Sequence, residues 1–217
     1  MTASDSPVDS ARSDAAPTPA PRKRPKPGER RVQILQTLAQ MLEQAGGERV
    51  TTAALAARLQ VSEAALYRHF ASKAQMFEAL IDFIESSVFG LINQIGEREP
   101  AGRARAARIV AMVLQFGEKN PGMARVMVGD ALVFEHERLQ QRMNQFFDKL
   151  DAALRQSLRD GALADAAEPA TLTPDADARV RASVLTAFVA GRLQRFARSG
   201  FRRAPSEQLG ACIARML

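Results

Sequence analysis

The side chains with the most definite chemical use lie between Thr51 and Phe70 (TTAALAARLQVSEAALYRHF). Ala64, Ala65, Tyr67, Arg68 and His69 fall on one face of a short helix whose other face carries Leu66 and Phe70 at an i, i+4 spacing. Small residues beside a phenol, a guanidinium and an imidazole suit a helix entering the major groove of DNA. The alanines allow close approach, and the polar tips can donate to phosphates and base edges. Two elements must hold that face outward. Thr51 or Thr52 can cap a first helix with Leu55, Ala56 and Leu59 on its apolar face, Val61 under the turn and Arg58 in solvent. Ser62 can cap the second. The spacing fits a helix-turn-helix, and it also fits a plain helical hairpin on a core.

The string Leu66 to Lys73 (LYRHFASK) separates these readings. It resembles the end of the recognition helix and the start of the next helix in TetR-type regulators. The resemblance implies phosphate contacts from Tyr67, His69 and Lys73, and base or backbone contacts from Thr51, Thr52, Ser62, Ala64 and Ala65. A satisfied surface histidine is the alternative for His69.

Composition sets the frame. The chain has 217 residues, is 46% hydrophobic and carries a formal net charge of +6, in keeping with an ordinary globular protein of one or two domains. No apolar run approaches the roughly 18 residues that span a bilayer, and no charged-then-apolar leader opens the sequence. The expectation from composition is a cytoplasmic protein without stable membrane insertion. A single cysteine, Cys212, leaves no internal disulfide and no multi-cysteine metal site, and is expected to be an inert buried thiol. Only His69 and His136 are present, with no nucleophile arrangement and no phosphate-cradling glycine loop. Glu135, His136 and Glu137 are successive helical positions that point apart. No enzyme, metal or cofactor is expected.

The charge is uneven. Arg22, Lys23, Arg24, Lys26, Arg30 and Arg31 cluster against one acid, Glu29, whereas residues 32 to 90 hold four basic residues against six acids. Phosphate attraction must therefore come from this basic arm and from a few aimed donors. Residues 1 to 28 lack apolar periodicity and read as a disordered tail, either a DNA arm or a solubilising segment.

Helical periodicity fills the rest, with no strand pattern: the fold class is all-α. Residues 29 to 75 form the DNA-binding domain and residues 76 to 217 a larger helical regulatory and dimerisation domain. Val32, Leu35, Leu38, Ala39 and Leu42 make the first stripe, stopped by Gly46-Gly47. Ser72 can cap a long helix with more apolar residues than one face holds, so it should bridge the two domains. Gly96 to Gly102 reads as a loop and Arg103 to Glu118 as a helix; a break at Asn120-Pro121-Gly122 precedes a short helix, Met123 to Val128. Asp130 is expected to cap a coiled-coil-like helix over 131–160 that Gly161 ends. A linker covers 161 to 174, a helix Pro174 to Ser199, and another runs from Pro205 onward. The last long helices can pair with each other or with a second copy, Ala190-Gly191 permitting close approach. A two-fold homodimer fits recognition helices set roughly 34 Å apart.

Within the TetR type, the body is similar to the nucleoid occlusion branch: Phe83 to Ser87 (FIESS), Phe116 to Leu132, Phe134 to Asp160 and Arg195 to Pro205 carry the likeness. It implies a double-stranded DNA-binding factor that blocks assembly of the tubulin-like division protein FtsZ, and so blocks septum formation over the nucleoid. It also implies that Phe83 on one wall, and Met112, Gln115, Lys119 and Asn120 on the other, grip the FtsZ tail. That branch favours Gly at the Gln115 place and Arg at the Lys119 place, so the groove is narrower and lacks the planar fork. Read from spacing alone, Phe83 and Met112 fit a core stripe, and Lys119 and Asn120 a helix end. The rival is a ligand-responsive repressor of the same fold, with an apolar pocket in its body.

Overall fold

The computed structural model describes residues 28–44, 49–162 and 173–217. The described residues form α1 (Glu29–Leu42), α2 (Thr52–Leu59), α3 (Glu63–Tyr67), α4 (Lys73–Arg98), α5 (Gly102–Lys119) and α6 (Pro121–Met127). A single 3-10 turn, Asp130–Leu132, then leads to α7 (Glu137–Ala162), α8 (Pro174–Arg198) and α9 (Leu209–Met216). No strand occurs among them. The expected tail and linker positions 1–27 and 163–172, and the Gly46-Gly47 stop, lie outside the described residues.

Capping sets the starts of the N-terminal helices. The Thr51 hydroxyl accepts from the Ala54 amide and the Ser62 hydroxyl from the Ala65 amide. Ser72 accepts from the Gln75 amide while the Gln75 side chain accepts from Ala71, so the opening turn of α4 is closed from both directions. Ile34, Leu38 and Leu42 of α1 meet Leu55, Leu66 and Phe70 in the core of the head. Val32, expected in that stripe, is 53% exposed; the period places Ile34 inward instead.

α4 buries Met76, Phe77, Leu80, Ile81, Ile84, Val88 and Ile92 and packs against α1, α5, α6 and α7. The long helix therefore bridges head and body, and the expected division at 75/76 falls inside it. α7 and α8 make the most extensive helix pair. Leu139, Met143, Phe146, Leu150, Leu154 and Leu158 bury one side of α7 and Leu185, Val189, Leu193 and Phe196 one side of α8. Arg142 clamps α7 to α4, bonding Asp82 at 2.8 Å and Glu85 at 2.6 Å. Burial works to lower its pKa, but the bonds and charges of the two carboxylates outweigh that and raise it.

Several boundaries differ from expectation. Asp130 caps no long helix, because its carboxylate accepts from Arg125 Nε at 2.6 Å; only the 3-10 turn forms, and α7 starts at Glu137. Gly96 lies inside α4. Gly161 lies inside α7, where it lets the helix meet the start of α5: a Cβ on Gly161 would stand 2.9 Å from the Gly102 Cα. Pro121 opens α6 rather than breaking the chain, since a first-turn proline has no amide to lose. The last helix begins at Leu209, four residues past Pro205.

Candidate nucleic-acid interface and partner face

The recognition helix α3 is five residues long, and its burial pattern divides cleanly. Leu66 and Phe70 are buried, while Ala64, Tyr67 and Arg68 are exposed and Ala65 and His69 half-buried. Tyr67 is 45% exposed. Thr51 and Ser62 stand at the caps of the two helices, so their hydroxyls already serve backbone amides and would face a ligand only from there. The Thr52 hydroxyl donates to Glu63 Oε2 at 2.6 Å and ties α2 to α3. Sequence reasoning passed over Glu63, although an acid just after a capping serine suits the positive start of a helix.

The two described residues of the expected arm belong to α1. Arg30 bonds the Gln33 side chain at 2.6 Å. Arg31 donates to the His69 carbonyl and lies over the Phe70 ring, 4.2 Å from its centroid, so it holds the end of the recognition helix. Arg22, Lys23, Arg24 and Lys26 lie outside the described residues.

Lys73 stands at the first position of α4, beside the recognition face, but its ammonium is already engaged. It pairs with Glu135, whose side chain is only 7% exposed, and lies near the Phe77 ring. Arg49 approaches the same carboxylate at 3.6 Å and donates to the Phe134 carbonyl. Glu135 sits between the 3-10 turn and α7, sixty-two positions beyond Lys73, a separation that no local pattern reveals.

On the body, α5 follows α4 through the short link at 99–101 and packs against it. Phe83 is 49% exposed, although a core stripe was an equal reading for it. Met112 is half-buried against the core, and Gln115 and Lys119 are exposed on the same side of α5. Asn120 donates its side-chain amide to the Phe116 carbonyl at 2.7 Å and closes α5. Cys212, expected buried, is half-exposed and receives a bond from Arg192 Nη2 at 3.1 Å.

Two capped helices with an outward face of small and polar residues, mounted on a helical body, define a helix-turn-helix DNA-binding regulator. The pattern described as "Bacterial regulatory proteins, tetR family" matches residues 34–80, and that described as "Tetracyclin repressor-like, C-terminal domain" matches residues 102–214. The fold is shared with PfmR, a TetR family transcriptional regulator from Thermus thermophilus (TM-score 0.67, 19% identity, 85% of this chain and 94% of that one). It is shared too with FadR from Bacillus subtilis, solved in complex with stearoyl-CoA (TM-score 0.65, 12% identity, 85% and 96%). Much nearer in sequence is the nucleoid occlusion factor SlmA of Cronobacter sakazakii, 49% identical over 183 residues that cover 84% of this chain and 90% of that protein. The SlmA of Idiomarina loihiensis is 45% identical over the same shares of each chain. The chain belongs to the SlmA family of TetR-type DNA-binding regulators.

No helix among the described residues is long and apolar enough to cross a membrane.

Proposed function

We propose that this protein is a nucleoid occlusion factor: bound to specific duplex sites on the chromosome, it inhibits FtsZ assembly and keeps the septum off the nucleoid. The observation that carries the reading is the 45–49% identity over nine-tenths of proteins with that function. Tyr67, His69 and Lys73 contact phosphates, and Ala64 and Ala65 let the backbone of α3 approach the bases while Thr51, Thr52 and Ser62 set the helix starts against the duplex. Phe83 and Met112 give the FtsZ tail an apolar seat, and Lys119 and Asn120 bind its backbone or a carboxylate. Exposed Phe83 supports that seat, because α4 had core positions available for an aromatic side chain. The protein works as a homodimer. Val180 and Val184 form a second, exposed apolar stripe on α8, opposite the one that meets α7, and it suits pairing with a second copy.

The test is sedimentation of FtsZ polymers with the protein, with and without duplex carrying its site. Pelleted FtsZ should fall, and fall further with the duplex. Unchanged pellets in both conditions would refute the FtsZ assignment and leave DNA binding intact.

A further inference from the structure

One cavity lies at the C-terminal end of α8, beside the turn whose Ser206 hydroxyl donates to Glu118 near the end of α5. It holds about 500 Å³ where α8 turns toward α9, and Arg192, Arg195, Arg202, Arg203 and Glu207 line it with Ala204. Four guanidiniums against one carboxylate leave this lining strongly positive. Arg49, Arg105, Arg125, Arg138, Arg142 and Arg181 each lie within 4.0 Å of a carboxylate. Among the described residues, none of the four in the cavity forms such a pair. Cations at a helix C-terminus offset its dipole, which accounts for Arg195 alone; Arg202 and Arg203 lie beyond the helix. Gathering uncompensated like charges costs stability, so the cluster needs another explanation.

The surroundings hold these groups in place. Arg192 is stacked over the Phe188 ring, 4.9 Å from its centroid, and donates to Cys212. The turn that presents Arg202 and Arg203 is built on Ser199, whose hydroxyl accepts from both of their amides and donates to the Phe196 carbonyl. Arg202 Nε donates to the Ser199 carbonyl, which orients the guanidinium and leaves its terminal nitrogens free to point into the cavity. The Phe201 ring packs on Phe196, 5.2 Å between centroids, and Pro205 is buried. A guanidinium fork matches two phosphate oxygens at once, and several forks match adjacent phosphates. The cavity volume lies within the range of small-molecule sites.

We propose that this cavity binds a small anion carrying adjacent phosphates, either a nucleoside polyphosphate or an inorganic oligophosphate. The proposal does not depend on the FtsZ reading.

Isothermal titration of the full chain with inorganic triphosphate at moderate salt should show one site per chain. Arg195→Gln with Arg202→Gln should weaken it at least about tenfold. Arg98→Gln with Arg108→Gln, the same loss of charge on either side of the link between α4 and α5, should change it by less than about twofold. Far-UV circular dichroism checks that each variant folds, and Arg203→Gln alone should still lose severalfold. ATP in place of triphosphate identifies the source of the phosphates: binding at least as tight makes the ligand a nucleotide, and weaker binding makes it a bare oligophosphate. No binding by the unaltered chain, or equal losses in both double variants, overturns the proposal. So does a loss of duplex affinity in Arg195→Gln/Arg202→Gln as large as the loss of triphosphate affinity, since the arginines would then belong to the DNA surface.

Discussion

Substituting one hydrogen at Gly122 should loosen the joint between head and body. Gly122 opens α6 against the last turn of α1, and a Cβ there would stand 2.1 Å from the Ala39 carbonyl oxygen and 3.2 Å from the Glu43 Cγ. A carbon rests about 3.3 Å or more from such an oxygen, so Gly122→Ala must part the helices by roughly 1 Å. The oxygen cannot swing aside, because it accepts from the Glu43 amide that closes α1. Overpacking of this kind costs about 1–3 kcal/mol. For a chain of this size each kcal/mol moves Tm by about 2–4 °C, so a fall of roughly 2–12 °C is expected. Gly90→Ala is the matched control: it also lies inside a helix, and nothing stands within 4 Å of its added carbon. There the gain in helix propensity, about 1 kcal/mol, should raise Tm instead. Thermal melts followed by far-UV circular dichroism at one protein concentration give both numbers. A Gly122→Ala melt within about 1 °C of the unaltered chain, beside a raised Gly90→Ala melt, would refute the rigid contact.

Three further outcomes test the proposed sites. Tyr67→Phe should weaken duplex binding by about 1 kcal/mol, or roughly fivefold, in fluorescence anisotropy, and unchanged affinity would remove the phenol from the interface. Lys73→Gln should flatten the slope of log affinity against log salt by about 0.9, whereas an unaltered slope would show that Lys73 never reaches the backbone. Phe83→Ala with Lys119→Glu should abolish FtsZ inhibition in the pelleting assay while duplex affinity stays within about twofold. Equal loss of both would move the partner surface elsewhere.

The local half of the site was readable in the sequence because its determinants are local. Thr51, Ser62 and Ser72 cap the helices they precede, and the i, i+4 pair Leu66 and Phe70 alone decides which side of α3 faces out. Errors came where a distant partner took a group away from its local use. Asp130 looked like a cap, but Arg125 holds it; Gly161 looked like a stop, but Gly102 needs it as a crossing point. Lys73 was identified by its place after the recognition helix, and the sequence held no sign that Glu135 engages it. Arg31 read as part of a basic run, and folding gives it a fixed post on the His69 carbonyl. Periodicity reports burial along one helix. It does not report which polar group another helix delivers.

One polar tie between head and body ends on α1 and suggests how the two faces communicate. Arg125 of α6 is buried and donates from Nη1 to the Leu42 carbonyl at 3.2 Å, gripping the end of α1 just beyond the Gly122 contact. At its other end α1 sends Arg31 to the carbonyl of His69, two residues past the recognition helix. A helix of this length is a rod of about 20 Å, so a displacement at α6 is carried to His69 unless the whole rod slides. α6 itself starts from Asn120, a member of the proposed FtsZ seat. Tail binding at Lys119 and Asn120 should therefore bias the pose of α3, and duplex binding should bias the seat. Linkage requires the two effects to be equal: if duplex tightens tail-peptide binding by some factor, saturating peptide must tighten duplex binding by that same factor. Titrating one labelled ligand with and without the other measures both. Affinities that are the same with and without the other ligand would show that the rod carries nothing.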